Sequence, residues 1–195
     1  MVYQYLLENN DHILISDNVY DPTKQIANKF LIKMGVEISY FDPKKIDKLD
    51  SMVQKNTKAI FFESPGSITF EIIEIDHLVD VCKKHNLYSI IDNTWGTPYF
   101  LKPIKLGFDM AIVSATKYYS GHSDVMGGSL AVNKKVFPKV KAAEKITGLR
   151  LGPDDAYLIT RGLRTLDVRL DRHRENAKKV AAFLSKNKRI KLLYP

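Results

Sequence analysis

Cysteine is nearly absent. Cys82 stands alone among 195 residues, so no internal disulfide can form, and a reducing compartment is the expected setting. Long apolar runs are missing as well: no stretch approaches the roughly 18 consecutive apolar residues that a membrane helix needs, and no membrane partner is expected. The opening residues lack the basic, apolar and small-residue sequence of a secretory signal, which makes the cytoplasm the expected location. Glycine is missing where a dinucleotide fold would need it. Ser16-Asp17-Asn18-Val19, following the first apolar run, contains none, and that excludes the glycine-rich phosphate turn of such folds. His85, His122 and Asp124 are the nearest approach to a metal set, without the short ligand spacing of a closed zinc site.

Acidic residues are outnumbered, leaving a net charge of +8. The lysines are scattered, with none of the clustering and aromatic context of a nucleic-acid patch, so no nucleic-acid partner is expected. The one basic concentration, Arg161, Arg164, Arg169, Arg172 and Arg174, is interleaved with Asp167, Asp171 and Glu175, which suits ion pairing along a helix surface.

Periodicity organises the chain. Residues 12–16 read as a short strand, and Asp21-Pro22 as a helix start with Asp21 as N-cap and Pro22 at the first helical position. Ile26, Phe30, Leu31 and Met34 form the expected buried face, and Gly35 the stop. Residues 36–41 are a second strand, 42–53 a helical segment, and 59–63 a third strand, apolar until it reaches Glu63. Ile75, Leu78, Val79 and Cys82 follow the spacing of a buried helix face, which makes Cys82 a core residue. Strands at 87–91 and 110–113 follow, then one at 128–133. Helices are expected at 134–146, 153–161 and 164–185, the last with Leu166, Leu170, His173, Ala177, Val180 and Leu184 as one stripe and His173 as a hydrogen-bonded core histidine. Repeated alternation of strand and helix predicts an α/β fold with a mostly parallel, helix-covered sheet, in one domain over 1–195.

The chemistry concentrates between Ile90 and Gly128. Asp92 stands at the end of one apolar strand, and Lys117 just beyond the next, in a loop dense in hydroxyls and glycines. Ligands of open α/β sheets bind outside the carboxyl ends of the strands. An acid and a lysine delivered there suit pyridoxal phosphate: a lysine amine forms a Schiff base with its aldehyde, and a carboxylate keeps the ring nitrogen protonated.

Asp92-Asn93-Thr94-Trp95, Ser114-Ala115-Thr116-Lys117 and Gly121-His122-Ser123-Asp124 resemble the transsulfuration (Cys/Met metabolism) family of pyridoxal-phosphate enzymes, and within it the bacterial cystathionine β-lyases. The likeness runs from about Tyr5 to Pro195. It implies the large domain of the aspartate-aminotransferase-like fold, pyridoxal 5'-phosphate as cofactor, and β-elimination of the amino-acid substrate cystathionine. It also implies a homo-oligomer, a tetramer in the family. Lys117 would carry the cofactor and move the α-proton, and Asp92 would hold the ring nitrogen. Tyr20 would stack on the ring, and Ser114 and Thr116 would contact the phosphate. Ser67 occupies the position where many relatives have an asparagine near the ring oxygen. Without the resemblance, Ser114 and Thr116 read equally as turn residues, and Tyr20 as an aromatic packed at a helix start.

Family subunits are about twice this length by the same resemblance. The expectation is a cofactor domain incomplete at its N-terminus, without the smaller C-terminal domain, ending near the junction at Leu193-Tyr194-Pro195. Missing with those parts would be an upstream phosphate-binding turn, partner-reaching Tyr and Arg residues, and the arginine that grips the substrate carboxylate. An inactive remnant, one fragment of a split enzyme, or a related γ-elimination or γ-replacement enzyme are the alternatives. Leu6, Leu7 and the stripe from Leu166 to Leu184 are candidate exposed apolar faces.

Overall fold

A computed structural model of the protein describes residues 6–193; Tyr5, Tyr194 and Pro195, cited above for the extent of the resemblance, lie outside them. The chain separates into two compact units: Met1–Val113 with Leu130–Arg150, and Ser114–Ser129 with Leu151–Pro195.

Six strands form one sheet: β1 (His12–Ser16), β2 (Glu37–Phe41), β3 (Thr57–Glu63), β4 (Tyr88–Asp92), β5 (Met110–Ser114) and β6 (Gly128–Val132), in the order β2-β1-β3-β4-β5-β6. Every neighbouring pair from β2 to β5 is parallel, as the alternation predicts. Parallel strands covered on both faces need apolar side chains on both, and the period of two sorts them. Ile13, Ile15, Phe61, Ile90 and Met110 enter one core cluster, while Leu14, Ile60, Phe62, Ile91 and Ala111 enter another. The second is closed by Leu78, Val79 and Cys82 of a helix, Ile75–Lys84, the burial that their spacing predicts. Burial pushes the Cys82 thiol up to about 12, with Asp109 adding to the effect, so this residue is core and not a nucleophile. Leu6 and Leu7 are buried in the first cluster and are not an exposed face.

Asp109 fixes the start of β5 with side-chain bonds. Its carboxylate accepts from Ser89 N–H at 3.0 Å and from Asn133 Nδ2 at 2.7 Å, while its own N–H donates to Ser89 Oγ at 3.0 Å. Buried backbone and side-chain polar groups are thereby paired, and β4 is tied to β5 so that Asp92 pairs with Ile112.

The helices follow the sequence with local changes. Those lying wholly within the described residues are α1 (Asp21–Ile26), α2 (Leu49–Met52), α3 (Ile75–Lys84, above), α4 (Thr97–Phe100), α5 (Phe137–Thr147), α6 (Pro153–Leu163) and α7 (Leu166–Leu184). The N-cap of α1 is Tyr20, not Asp21, which sits in the first turn. Beyond Ile26 the coil widens into a π segment, Ala27–Leu31, and tightens at Ile32–Met34 before Gly35 at φ +79°. The wider turn rotates the apolar face: Ala27 and Leu31 are buried, and Ile26, Phe30 and Met34 are exposed. The stripe of α7 is fully buried only at its start, with Ala177 and Leu184 half-buried further on. Leu166 and Leu170 are buried, but Val180 is exposed, and His173 is an exposed residue whose ring lies 5.8 Å from that of Tyr118.

Candidate functional site

Strand order reverses at β1, whose neighbours are β2 and β3. The crevice outside the carboxyl ends at such a reversal is the usual ligand site of an open α/β sheet. Two loops leave the sheet there, Ser16 to Tyr20 after β1 and Glu63 to Ser67 after β3. They are joined through one buried carboxylate, Glu63. Tyr20 N–H donates to its Oε2 at 2.8 Å, and Ser67 Oγ donates to its Oε1 at 2.7 Å. Ser67 N–H also donates to Asn18 O at 2.9 Å. This close approach explains Gly66, where a Cβ would run into the Asn18 carboxamide. Asn18 itself is 8% exposed, and neither polar atom of its side chain has a partner among the described residues.

Asp92 ends the adjacent strand, in register with Glu63. Burial raises its pKa, opposed by Thr94, whose N–H donates to Oδ1 at 2.9 Å. Burial likewise pushes Glu63 up to about 6; the bonds from Ser67 and Tyr20 pull it down, and the charge of Asp92 pushes it further up. Two desolvated carboxylates at neighbouring strand ends are costly without a cation. Glu63 was not among the residues nominated from the sequence. Its signal was there: a glutamate closing an otherwise apolar strand.

The lysine loop is held mainly through its backbone. It starts where β5 ends, at Ser114, whose carbonyl accepts from Lys117 N–H at 3.1 Å. Gly121 N–H donates to Lys117 O at 2.8 Å, and Ser120 Oγ donates to Thr116 O at 3.0 Å. Thr116 Oγ1 closes the loop by accepting from Gly127 N–H at 3.0 Å and donating to Gly127 O at 3.3 Å. Its hydroxyl thus makes the turn contacts that were the alternative to a phosphate role. Arg169, expected on an ion-paired surface, instead donates to three oxygens: Tyr118 O at 2.9 Å, Gly162 O at 2.8 Å and Thr165 Oγ1 at 3.1 Å. The expected surface pairing does occur between Arg174 and Asp171, at 2.9 Å. At Gly162 a Cβ would collide with the carbonyls of Tyr119 and Ser120, so α6 lies directly against this loop. Ala115, Val125 and Ile159 fill the space beneath.

The nominated residues therefore fall into two groups. Tyr20 and Ser67 meet at Glu63, with Asp92 on the next strand; Ser114, Thr116 and Lys117 share one loop. The groups belong to different compact units, and the chain joins them through β5, the strand beside Asp92.

A cofactor with a cationic ring nitrogen fits the strand-end residues. Asp92 is a half-buried, desolvated anion that a cation would stabilise, and Asn18 offers unmet hydrogen-bonding atoms at the same strand ends. Comparison with known proteins agrees. The chain matches the family described as Cys/Met metabolism PLP-dependent enzyme over residues 1–195, and it belongs to that family, the pyridoxal-phosphate-dependent enzymes of cysteine and methionine metabolism. Relatives include an L-alanine/L-glutamate racemase of Wolbachia pipientis wMel, 40% identical over 94% of this chain and 45% of that protein. A cystathionine beta-lyase of Lactococcus lactis subsp. cremoris MG1363 is 37% identical over 97% and 50%. The crystal structure of cystathionine gamma-lyase from Lactobacillus plantarum complexed with L-serine superposes with a TM-score of 0.93 at 31% identity, covering 98% of this chain and 50% of that one. The sheet is thus that of fold type I enzymes, and the chain spans about half the length of the relatives it matches.

Proposed function

We propose that this chain is the cofactor-binding large domain, over all of 1–195, of a carbon–sulfur lyase that cleaves cystathionine by β-elimination to homocysteine, pyruvate and ammonia. Methionine biosynthesis in the cytoplasm, by a homo-oligomer, is the setting that goes with this reading. The observation that carries it is the half-buried, desolvated carboxylate of Asp92 on β4, with the Ser114-Ala115-Thr116-Lys117 loop directly following the neighbouring strand.

Pyridoxal phosphate, when bound, supplies an electron sink for the carbanion formed beside the substrate's amino group. Asp92 would accept a hydrogen bond from the ring nitrogen and keep it protonated, and that cation would offset the desolvation of the carboxylate. Lys117 would hold the cofactor aldehyde, and its free amine would move the α-proton as general base. Tyr20, whose ring is exposed, would cover the cofactor ring. Ser114 and Thr116 would bind phosphate, Thr116 by turning its proton away from the long bond to Gly127 O. Ser67 would take the ring oxygen.

A second reading is favoured by the half-length match: the chain is one fragment that works only with a complementing segment, or a remnant without activity. Relatives named as gamma-lyases also keep γ-elimination open, and γ-replacement remains an alternative of the family resemblance. Pyruvate release from cystathionine decides among these. The chain alone is expected to give little or none, since correct positioning of reactants supplies about 7–11 kcal/mol of barrier reduction and the chain spans about half the length of its relatives. Fusing on a relative's N- and C-terminal segments should restore pyruvate, and Lys117→Ala should abolish it again. Release of 2-oxobutyrate would move the assignment to γ-elimination. No product after reconstitution would leave the remnant reading.

A further inference from the structure

The bonds around Glu63 are constrained by a count of protons. A backbone N–H only donates, so Tyr20 occupies a lone pair of Oε2. The Ser67 hydroxyl has a single proton. While Glu63 is ionised, both its oxygens are acceptors, and the 2.7 Å contact to Oε1 uses that proton. Ser67 then has lone pairs left and nothing to donate. Protonating Oε1 reverses the bond without moving an atom: the carboxyl O–H donates to Ser67 Oγ, Oε2 still accepts from Tyr20, and the Ser67 proton turns outward. We infer that Glu63 is a positioning residue that sets whether Ser67 meets a bound molecule as a hydrogen-bond acceptor or as a donor.

This rests on the preceding functional reading only for the identity of the molecule. Toward a ring oxygen, Ser67 is matched to the protonated hydroxyl while Glu63 is ionised, and to the oxyanion while Glu63 is protonated. The ligand class is therefore a heteroaromatic phosphate with an ionisable ring hydroxyl, held differently on either side of one titration. Both states are accessible near neutral pH because burial, aided by Asp92, brings Glu63 up to about 6. The groups facing it are accounted for on each neighbouring element: the Ser16 hydroxyl on β1, which accepts from Glu63 N–H at 3.4 Å; the Tyr20 N–H after β1; Ser67 after β3; and Asp92 on β4, the charged group acting on it. Gln has the shape to freeze one state. Its Oε1 accepts from Tyr20, its Nε2 donates to Ser67, and Ser67 is left a donor at every pH.

Two measurements test this, one without any cofactor. In the chain alone, the ¹³C shift of the Glu63 carboxyl is titrated by NMR in wild type and in Ser67→Ala. Loss of a donor to the carboxylate should move the Glu63 midpoint upward; a midpoint that stays or falls overturns the inference. In the second, pyridoxal phosphate is added and the pH profile of its bound absorbance is compared between wild type and Glu63→Gln. The wild-type profile should contain a step at the Glu63 midpoint, absent from the variant; the same step in both overturns the inference. If neither protein takes up pyridoxal phosphate, the functional reading fails, and the carboxyl titration still decides the role of Glu63.

Discussion

The two groups of nominated residues, one in each compact unit, are stabilised by different kinds of bond. At the strand ends, polar side chains do the work: Glu63 ties Tyr20 to Ser67, and Asp92 lies in register beside it. In the lysine loop, the partners are mostly backbone carbonyls, collected by Arg169 and enclosed by Gly162. Carboxylates can be neutralised with their shape kept, whereas a carbonyl cannot be removed and its donor has few substitutes. Changes at the strand ends should therefore alter charge and pH response with the fold intact. Changes around the lysine loop should alter geometry first.

The sharpest break in that contrast is Gly162→Ala. The added methyl has no space, because the obstructing atoms are the backbone carbonyls of Tyr119 and Ser120 and not a flexible side-chain end. Overpacking of this kind costs about 1–3 kcal/mol, occasionally more, and the upper end is expected here. Urea unfolding followed by circular dichroism measures it; a loss below about 1 kcal/mol would show that α6 can retreat from the loop.

Arg169→Met comes next. It removes three hydrogen bonds from a charged donor and leaves part-buried carbonyls without their partner, an expected loss of about 2–3 kcal/mol. Amide exchange at Ser120 and Gly121, whose N–H groups bond inside the loop, should accelerate. Arg169→Lys should recover only part, since a single ammonium cannot reproduce a planar fork. Full recovery by lysine would mean that charge alone holds the loop.

Glu63→Gln should act in the opposite direction. Its carboxyl is raised from 4.5 to about 6, so the folded state binds this proton more tightly than the unfolded chain. Stability contributed by that proton is complete below the unfolded value and is lost as pH rises through about 6. A residue 5% exposed then costs about 2 kcal/mol at neutral pH, and the amide avoids that cost. The variant should be more stable than wild type at pH 7, the difference closing between pH 6 and 4.5. A variant that is less stable at every pH would show that the charge itself, beside Tyr20 N–H, stabilises the loops.

Much of this was legible beforehand, for physical reasons. Buried parallel strands are short apolar runs with punctuated ends, so β1 and β3 to β5 could be read directly, and Asp92 and Lys117 stand where those runs stop. The spacing of Ile75, Leu78, Val79 and Cys82 was decisive because α3 is a regular helix with one covered face. The stretch after Pro22 misled because its coil changes pitch, and period counting assumes that it does not. Glu63 and Arg169 were harder. Their roles depend on which loops meet in space, and a charged residue looks alike in sequence whether it faces water or a row of carbonyls.

The smallest expected effect concerns α7, where an apolar stripe and actual burial part company. Leu166 and Leu170 are buried at its start, while Val180 and Phe183 are 56% and 73% exposed. A stripe records only that a face is apolar; stabilisation follows area removed from water, and in this chain little is removed at those two positions. Val180→Ser and Phe183→Ser should each change stability by no more than about 0.5 kcal/mol, the usual range for surface substitutions. Leu170→Ala, at 2% exposure, should cost about 2–5 kcal/mol. Chemical denaturation of the three variants at one low protein concentration gives the comparison. A loss at Val180 approaching that at Leu170 would mean that this part of the helix is covered in solution, and the stripe would then have been the better guide than the exposure of the single chain; Phe183, outside the stripe, serves as the control.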